Sequence, residues 1–546
     1  MTLRRYVEHV SAPDSSVLRP ALVTPTSVEA LAATGNARID LIGSATAQTE
    51  VGGVTLRAQD VRPGDLFAAL PGSRFHGAQF AADALAAGAS AVLTNQAGRD
   101  VIAGLDPTPN CVVLVHPEPR AVLGDLSSQV YGHPSRSLTL IGITGTSGKT
   151  TTSYLTEAAL MAAGHSVGLI GTVETRIAGI RQPSALTTPE APQLQGLLAA
   201  MLEQGVDSVV MEVSSHALYL GRVDGTRFAL GAFTNLSQDH LDFHPTMRDY
   251  FNTKALLFQP DSAVHAGASV ICVDDDWGRE MFRIAGRGAV SVSTTGSADG
   301  VDWHAGTSEV ARDGAQRVTV TDPTGQSYEM TVPMPGRFNV ANALTAVALA
   351  SGAGVPVETA IASVGDVAVP GRVERVVRGQ PFLAVVDYAH KPAALEAVIA
   401  TLRGQTQGRI AVVVGAGGDR DTGKRPMMGE AAARGAEFVV VTDDNPRTEV
   451  PADIRAQVIA GAAAVPLAER PSGAEPVQEI GDRAGAIAAA VRWARAGDVV
   501  LVAGKGHEAG QEIHGIKHPF DDRVVLGQAI DELGTQQNPT DTESLQ

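Results

Sequence analysis

Aromatic residues are scarce in this chain, at 4% of 546 positions, and cysteine is scarcer still, with two. Cys111 and Cys272 both sit in apolar runs (Cys111-Val-Val-Leu-Val115 and Val270-Ile-Cys-Val273), which predicts buried thiols and excludes a disulfide-stapled scaffold. No apolar stretch approaches the ~18 uninterrupted residues of a membrane-spanning helix. Arg4-Arg5 has no apolar run behind it, so the N-terminus does not read as a signal peptide, and a cytoplasmic protein is expected. Positive charge is in deficit: 42 Lys and Arg against 59 Asp and Glu leave a formal charge of −17. Such a field repels the phosphates of nucleic acid and anionic membranes, so neither is an expected partner; a local basic pocket for a phosphorylated small molecule stays open.

What the chain does have is 44% apolar residues, enough for full cores, and a length that usual domain sizes divide into roughly three or four domains. The ends, 1–25 and 535–546, are polar and expected to be mobile. Residues 26–135 read as a small α/β unit. Its strands are Gly53-Val-Thr-Leu56, a run after the Pro63-Gly64 turn, Ala91–Thr94 and Val112–Val115; its helices are Phe80–Ala87 and Ala121–Tyr131. The loop Pro71–Gly77 carries Ser73, Arg74 and His76, which either face a ligand or only solvent.

The second unit, 136–370, opens with apolar β-formers through Ile143, turns on Gly145 and Gly148, and runs through Lys149-Thr-Thr-Thr152 into a helix-like segment from Ser153 to Met161. Strand, glycine loop and helix start make a phosphate cradle: glycines let backbone N–H groups approach, the helix N-terminus adds its positive end, Lys149 reaches phosphate and Thr150 offers a hydroxyl to Mg²⁺. The usual early glycine is missing; its place holds Ile143. Ser208-Val-Val-Met-Glu212 is a strand ending in an acid, the usual position for a residue that orders Mg²⁺ or its water. Alternating strands and helices imply a mostly parallel sheet, at whose C-terminal edge Lys149, Glu212, Ser214 and His240 converge. His240, Asp242 and His244 also have zinc-ligand types, but no cysteine is near and the nucleotide loop already implies Mg²⁺. Residues 290–331 read as a polar hairpin excursion. Asn339 and Asn342, on the helix after Pro335-Gly336, suit either a base or ribose contact or helix capping.

The third unit, 371–534, delivers four strands into polar loops: Asp387-Tyr-Ala-His390, Gly415–Pro426, Asp443-Asp-Asn-Pro-Arg447 and Gly504-Lys-Gly-His-Glu508. That is a Rossmann-like pattern. Lacking G-x-G-x-x-G, it suits an anionic small molecule better than a dinucleotide.

Together these motifs resemble the Mur ligases of peptidoglycan precursor synthesis, and among them the type that adds the third residue of the stem peptide. The resemblance rests on Gly64-Asp-Leu-Phe67, Gly145-Thr-Ser-Gly-Lys-Thr-Thr151, Thr187-Thr-Pro189, Glu212-Val-Ser-Ser-His-Ala217, Asp239-His-Leu-Asp242 with Lys254, Gly336-Arg-Phe-Asn339, Asp387-Tyr-Ala-His390, Gly418-Asp-Arg-Asp421, Asp444-Asn-Pro-Arg447 and Gly504-Lys-Gly-His-Glu508. It implies an α/β protein of three domains: a small N-terminal UDP-binding domain, a central P-loop-type ATPase and a C-terminal Rossmann-like, amino-acid-binding domain. It implies a monomeric ATP- and Mg²⁺-dependent amide ligase of cell-wall biogenesis, serving cell shape and division. Such an enzyme phosphorylates the D-Glu carboxylate of UDP-N-acetylmuramoyl-L-alanyl-D-glutamate and joins it to meso-diaminopimelate.

The resemblance assigns ATP to Gly145, Thr146, Ser147, Gly148, Lys149, Thr150, Thr151 and Asn339, and catalysis to Lys149, Glu212, His240 and Lys254. Metal would fall to Thr150, Glu212, His240 and Lys254, the last carbamylated so that it offers oxygens. The UDP-linked dipeptide falls to Leu56, Ser73, Arg74, Phe75, Thr187, Thr188, Ser214 and Arg222, although Ala58, Leu186 and Leu220 depart from many relatives. The amino acid falls to Arg420, Asp444, Asn445, Pro446, Arg447, Gly504 and Glu508. Arg447 decides its identity: diaminopimelate has a second carboxylate that a guanidinium binds in a fork, and lysine has only an ammonium there. The same reaction with L-lysine, another amide ligase such as folylpolyglutamate synthase, and a nucleotide-gated scaffold are the alternatives.

Overall fold

The computed structural model describes residues 18–72, 75–182, 186–296, 300–310 and 315–537, the last three as backbone only. Three main sheets organise them, one per unit. The N-terminal sheet has five strands in the order Arg38–Ile42, Cys111–Val115, Ala91–Thr94, Asp65–Ala68, Gly53–Thr55; the first pair is antiparallel and the rest parallel. Its middle strands are buried along their whole length, as apolar runs covered on both faces require.

The central sheet has eleven strands among the described residues, parallel from Val167–Ile170 through Trp303–Val310 and edged by antiparallel hairpins. Thr139–Thr144 lies between Ser208–Glu212 and Leu230–Phe233, so the chain order reverses beside it. A cleft opens at such a switch point, outside the strand C-termini. The expected hairpin excursion at 290–331 is instead an extension of this sheet. Trp303, Ala305, Val318, Val320, Met330 and Val332 alternate inward against helix Arg337–Gly352, and that period-two apolar face drives the pairing.

The C-terminal sheet has six strands, Glu374–Arg375, Leu383–Asp387, Val499–Ala503, Ile410–Val414, Phe438–Val441 and Gln478–Glu479, all parallel after the first pair. Apolar clusters cover both of its faces. The described residues contain no helix long and apolar enough to cross a membrane, and both cysteines are buried thiols.

Two expectations about the ends change. Residues 18–25 are held rather than loose: Arg19 forms a buried ion pair with Asp65 at 2.7 Å, and the amides of Ala21 and Leu22 donate to Glu203 of the central domain. A buried carboxylate without a cation is costly, and Arg19 meets that need. Helix Asp522–Gln537 continues past the boundary expected at 534.

Candidate active site

The phosphate loop follows from the strand beneath it. Thr139–Thr144 is buried except at its first residue, and helix Lys149–Ala162 starts directly after Gly148. Gly148 takes φ +88°, and a Cβ there would lie 2.3 Å from Asn342 Oδ1, so only glycine fits. The Ser147 amide donates to Asn235 Oδ1 at 3.0 Å, fixing the loop from the neighbouring strand end. Lys149 Nζ donates to the carbonyls of Gly145 (2.9 Å) and Thr146 (3.2 Å). Burial, and then Lys391, lower its pKa to about 8.

A cavity of about 450 Å³ opens over this loop, lined by residues 146–151, Glu212, Ser214, His240, Asn339 and Asn342 on the central side and by Arg372, Asp387 and residues 388–391 of the C-terminal domain. The amides of Asn339 and Asn342 are partly engaged with the protein: Asn339 donates to Pro335 O and Asn342 donates to Asn339 Oδ1.

Glu212 is 1% exposed. Its carboxylate accepts from Thr150 Oγ1, the Thr172 amide and Thr172 Oγ1, each at 3.0 Å, and among the described residues it has no ion-pair partner. A buried anion held only by neutral donors, beside a hydroxyl, suits a hard cation that takes oxygen ligands. His240 also lines the cavity. It takes φ +53°, a left-handed conformation, and its ring lies 3.0 Å from Asp239. Burial lowers its pKa to about 3, which keeps the imidazole neutral, the ligand form.

Lys254 is 1% exposed and donates to Gly145 O at 3.0 Å. Burial first, then Lys149 and Lys391, hold its amine well below the ordinary lysine value. The zinc alternative finds no cluster: His244 points to Ser215 Oγ at 3.0 Å, and no group of three or more His, Cys, Asp or Glu among the described residues can hold a metal.

The residues expected to hold the acceptor divide between two domains. Thr188 Oγ1 donates to Glu212 O and accepts from the Ser214 amide, Thr187 meets Thr172, and Arg222 pairs with Glu190 at 2.8 Å. Arg120 of the N-terminal domain reaches the same Glu190 at 3.1 Å, tying the two domains together there. Leu56 packs on the N-terminal core and Phe75 is exposed. Ser73 and Arg74 lie outside the described residues.

The residues expected to hold the amino acid form one loop cluster. Asn445 Nδ2 donates to Glu508 at 2.9 Å, while its Oδ1 accepts from Lys505 Nζ (3.0 Å) and the Glu512 amide (2.9 Å). Arg447 donates to Gly418 O at 2.6 Å and faces Glu512 at 3.4 Å, with the side chain 22% exposed. Gly418 passes so close under Pro446 that a Cβ would lie 2.0 Å from its carbonyl oxygen. Asp444 is buried against Gly504, and Arg420 is exposed on the neighbouring loop. Arg425, fully buried, grips Glu449 through both oxygens and so holds the Gly418 and Arg447 loops together.

Sequence reasoning missed Lys391, Arg372, Asp239, Lys505 and Glu190 as site residues. Lys391 reaches Asp239 at 2.8 Å and Thr146 O at 3.1 Å, and Arg372 reaches Thr150 Oγ1 at 3.2 Å, all across the domain junction. Burial alone would raise the Asp239 carboxyl; Lys391 overcomes that and holds it well below the carboxylate range. The one available signal was adjacency, since Asp239, Lys391 and Lys505 lie in or next to motifs already singled out.

A phosphate loop with a buried carboxylate beside it, facing a second domain that carries a polar loop cluster, defines an ATP-using ligase. Three family models match, described as Mur ligase family, catalytic domain (residues 50–131), Mur ligase middle domain (143–350) and Mur ligase, glutamate ligase domain (371–506). The chain belongs to the Mur ligase family. It is 55% identical over 479 residues to the UDP-N-acetylmuramoyl-L-alanyl-D-glutamate–2,6-diaminopimelate ligase of Corynebacterium glutamicum, covering 88% of this chain and 91% of that protein. A solved structure of a ligase of the same name, 32% identical, superposes with a TM-score of 0.63 over 94% of this chain and all of that one. The MurF ligase of Thermotoga maritima in complex with ADP, 18% identical, shares the fold at a TM-score of 0.57 over 89% of this chain and 97% of that one.

Proposed function

We propose the following division of labour for the reaction of this chain, the ATP-dependent addition of meso-diaminopimelate to UDP-N-acetylmuramoyl-L-alanyl-D-glutamate in peptidoglycan synthesis. The observation that carries it is one cavity bounded by the phosphate loop, Glu212 and the C-terminal domain's first polar loop. Residues 145–151 cradle the nucleotide phosphates, and Lys149 neutralises the charge that builds when two anions meet, the γ-phosphate and a carboxylate. Asn339 supports the nucleoside. Thr187, Thr188, Ser214 and Arg222, with Leu56, Ser73, Arg74 and Phe75, hold the UDP-linked dipeptide so that its D-Glu carboxylate faces the phosphate loop.

Thr150, Glu212, His240 and carbamylated Lys254 are the residues that would hold Mg²⁺, which when bound screens phosphate charge. Lys254 fits the modification because an unprotonated amine is the form that adds CO₂, and its burial supplies that form. The carboxylate oxygen attacks Pγ, the bond to the ADP oxygen breaks, and an acyl phosphate results. The amine of diaminopimelate then displaces phosphate. Arg447 takes the second carboxylate of diaminopimelate, and Arg420, Asp444, Asn445, Pro446, Gly504 and Glu508 shape its site. The enzyme works as a monomer in the cytoplasm, where nucleotide-linked precursors are available.

The test is phosphate release measured with acceptor and a panel of amino acids. Release that needs both the acceptor and diaminopimelate supports the reading. Release with acceptor alone, or equal kcat/KM for lysine and diaminopimelate, overturns it.

A further inference from the structure

Three lysine amines converge on two successive carbonyls of the phosphate loop. Lys149 and Lys254 reach Gly145 O at 2.9 and 3.0 Å; Lys149 and Lys391 reach Thr146 O at 3.2 and 3.1 Å. Two of these lysines come from the central domain. Lys391 comes from the other side: it stands at the N-cap of helix Pro392–Arg403, in the loop after strand Leu383–Asp387. Its side chain is 9% exposed and that of its partner Asp239 is 8% exposed. Among the described residues, Lys391–Asp239 is the one ion pair within 4.0 Å that spans the central and C-terminal domains.

Burying a lysine at a domain junction is unfavourable without a matching anion. Here the anion is the residue before His240, and the same ammonium also holds a phosphate-loop carbonyl. Separating the domains would take the Lys391 ammonium from Asp239, leaving it beside His240, and would remove one of the two lysines that hold Thr146 O. Arg372 to Thr150 crosses the same junction, but that contact is not an ion pair and does not touch Thr146. The C-terminal domain also carries the amino-acid loops. A contact that arranges the phosphate loop only when this domain is docked therefore links phosphoryl transfer to the arrival of the nucleophile.

We infer that Lys391 is a positioning residue: through Asp239 and the Thr146 carbonyl, it sets the phosphate loop for phosphoryl transfer only in the docked arrangement of the C-terminal domain. This rests on the ligase reading above. It assigns Lys391 to kcat rather than to ground-state nucleotide binding, because the loop and Lys149 bind phosphate without it.

The experiment compares wild type with Lys391→Ala, Lys391→Met and Lys391→Arg in the full chain. It measures kcat and KM for ATP and diaminopimelate, ADP affinity by calorimetry, and the thermal midpoint. In Ala and Met, kcat falls about 100-fold, the scale of a misplaced reacting group. ADP affinity stays within a factor of about 3, and Arg, which keeps the charge, recovers at least about a tenth of the wild-type rate. The inference is overturned if Ala and Met keep kcat within about 3-fold of wild type, if ADP affinity falls as far as kcat, or if Met is as active as Arg. If Ala unfolds, Met against Arg at matched thermal midpoints decides. A wild type that does not ligate diaminopimelate sinks the ligase reading itself; a ligating wild type with active Lys391 variants sinks this inference alone.

Discussion

Arg372 Nη2 lies 3.2 Å from Thr150 Oγ1, so the C-terminal domain places a guanidinium on the first turn of the helix that begins at the phosphate loop. The guanidinium carbon also sits over the Tyr388 ring, 4.4 Å from its centroid, a second contact that helps to place it. Arg372→Ala should lower kcat/KM for ATP about 10- to 100-fold, the scale of one charge-assisted contact. Lysine at this position cannot both stack on Tyr388 and reach Thr150, so Arg372→Lys should recover little. Steady-state rates with ATP varied decide it; an unchanged kcat/KM would reduce the contact to packing.

Lys254 offers a second test. Its amine is buried beside the phosphate loop and paired with no carboxylate within 4.0 Å among the described residues, so as a bare amine it contributes no anion to the site. Lys254→Ala should lose at least about 100-fold in kcat. Millimolar formate or acetate should restore part of that rate by placing a carboxylate where the proposed carbamate would stand. Near wild-type activity without rescue would remove Lys254 from the mechanism.

Arg447 bears on which amino acid is used. Its backbone is in the left-handed region at φ +52°, and its amide and carbonyl are bound to Glu512 and His514, so the side chain is presented by a pinned backbone. Arg447→Lys keeps the charge and loses the fork. KM for diaminopimelate should rise about 10- to 100-fold, the equivalent of ~1.5–3 kcal/mol, with little change in kcat. Competition between lysine and diaminopimelate, followed by mass of the product, measures the change in preference.

The chemistry was legible in the sequence wherever local pattern fixes geometry. An apolar run, two glycines and Lys149 specify strand, turn and helix start within about a dozen residues, and the strand-end position of Glu212 follows from the same rule. Lys391, Arg372 and Asp239 were not legible as a group, because they meet only when two separately folded domains dock, and no periodicity encodes docking. The strands between 290 and 331 read as an excursion because each has one polar face. Their inward residues, Val318, Val320, Met330 and Val332, become core only against helix Arg337–Gly352. Arg19 sat in a polar stretch whose order depends on the distant Asp65.

Glu157 gives a prediction that leaves the catalytic groups untouched. It is 3% exposed, on the helix that begins at Lys149, and it accepts from Arg176, whose guanidinium also faces Glu174 at 3.5 Å. Glu174 has a closer partner in Arg181, at 2.8 Å, whereas buried Glu157 has Arg176 alone among the described residues. Burial pushes the Glu157 carboxyl up to about 7 from 4.5, with Arg176 opposing and Glu174 adding. The folded state therefore holds more protons than the unfolded state between those two values. The stabilisation from the neutral acid is complete below pH 4.5 and is lost as pH rises through 7. Glutamine keeps an oxygen for Arg176 and does not titrate. Glu157→Gln should match wild type near pH 5 and exceed it near pH 8 by on the order of 1–3 kcal/mol. Urea midpoints of both proteins at the two pH values test this: a gap that is the same at both would mean that Glu157 stays ionised throughout, with Arg176 outweighing its burial.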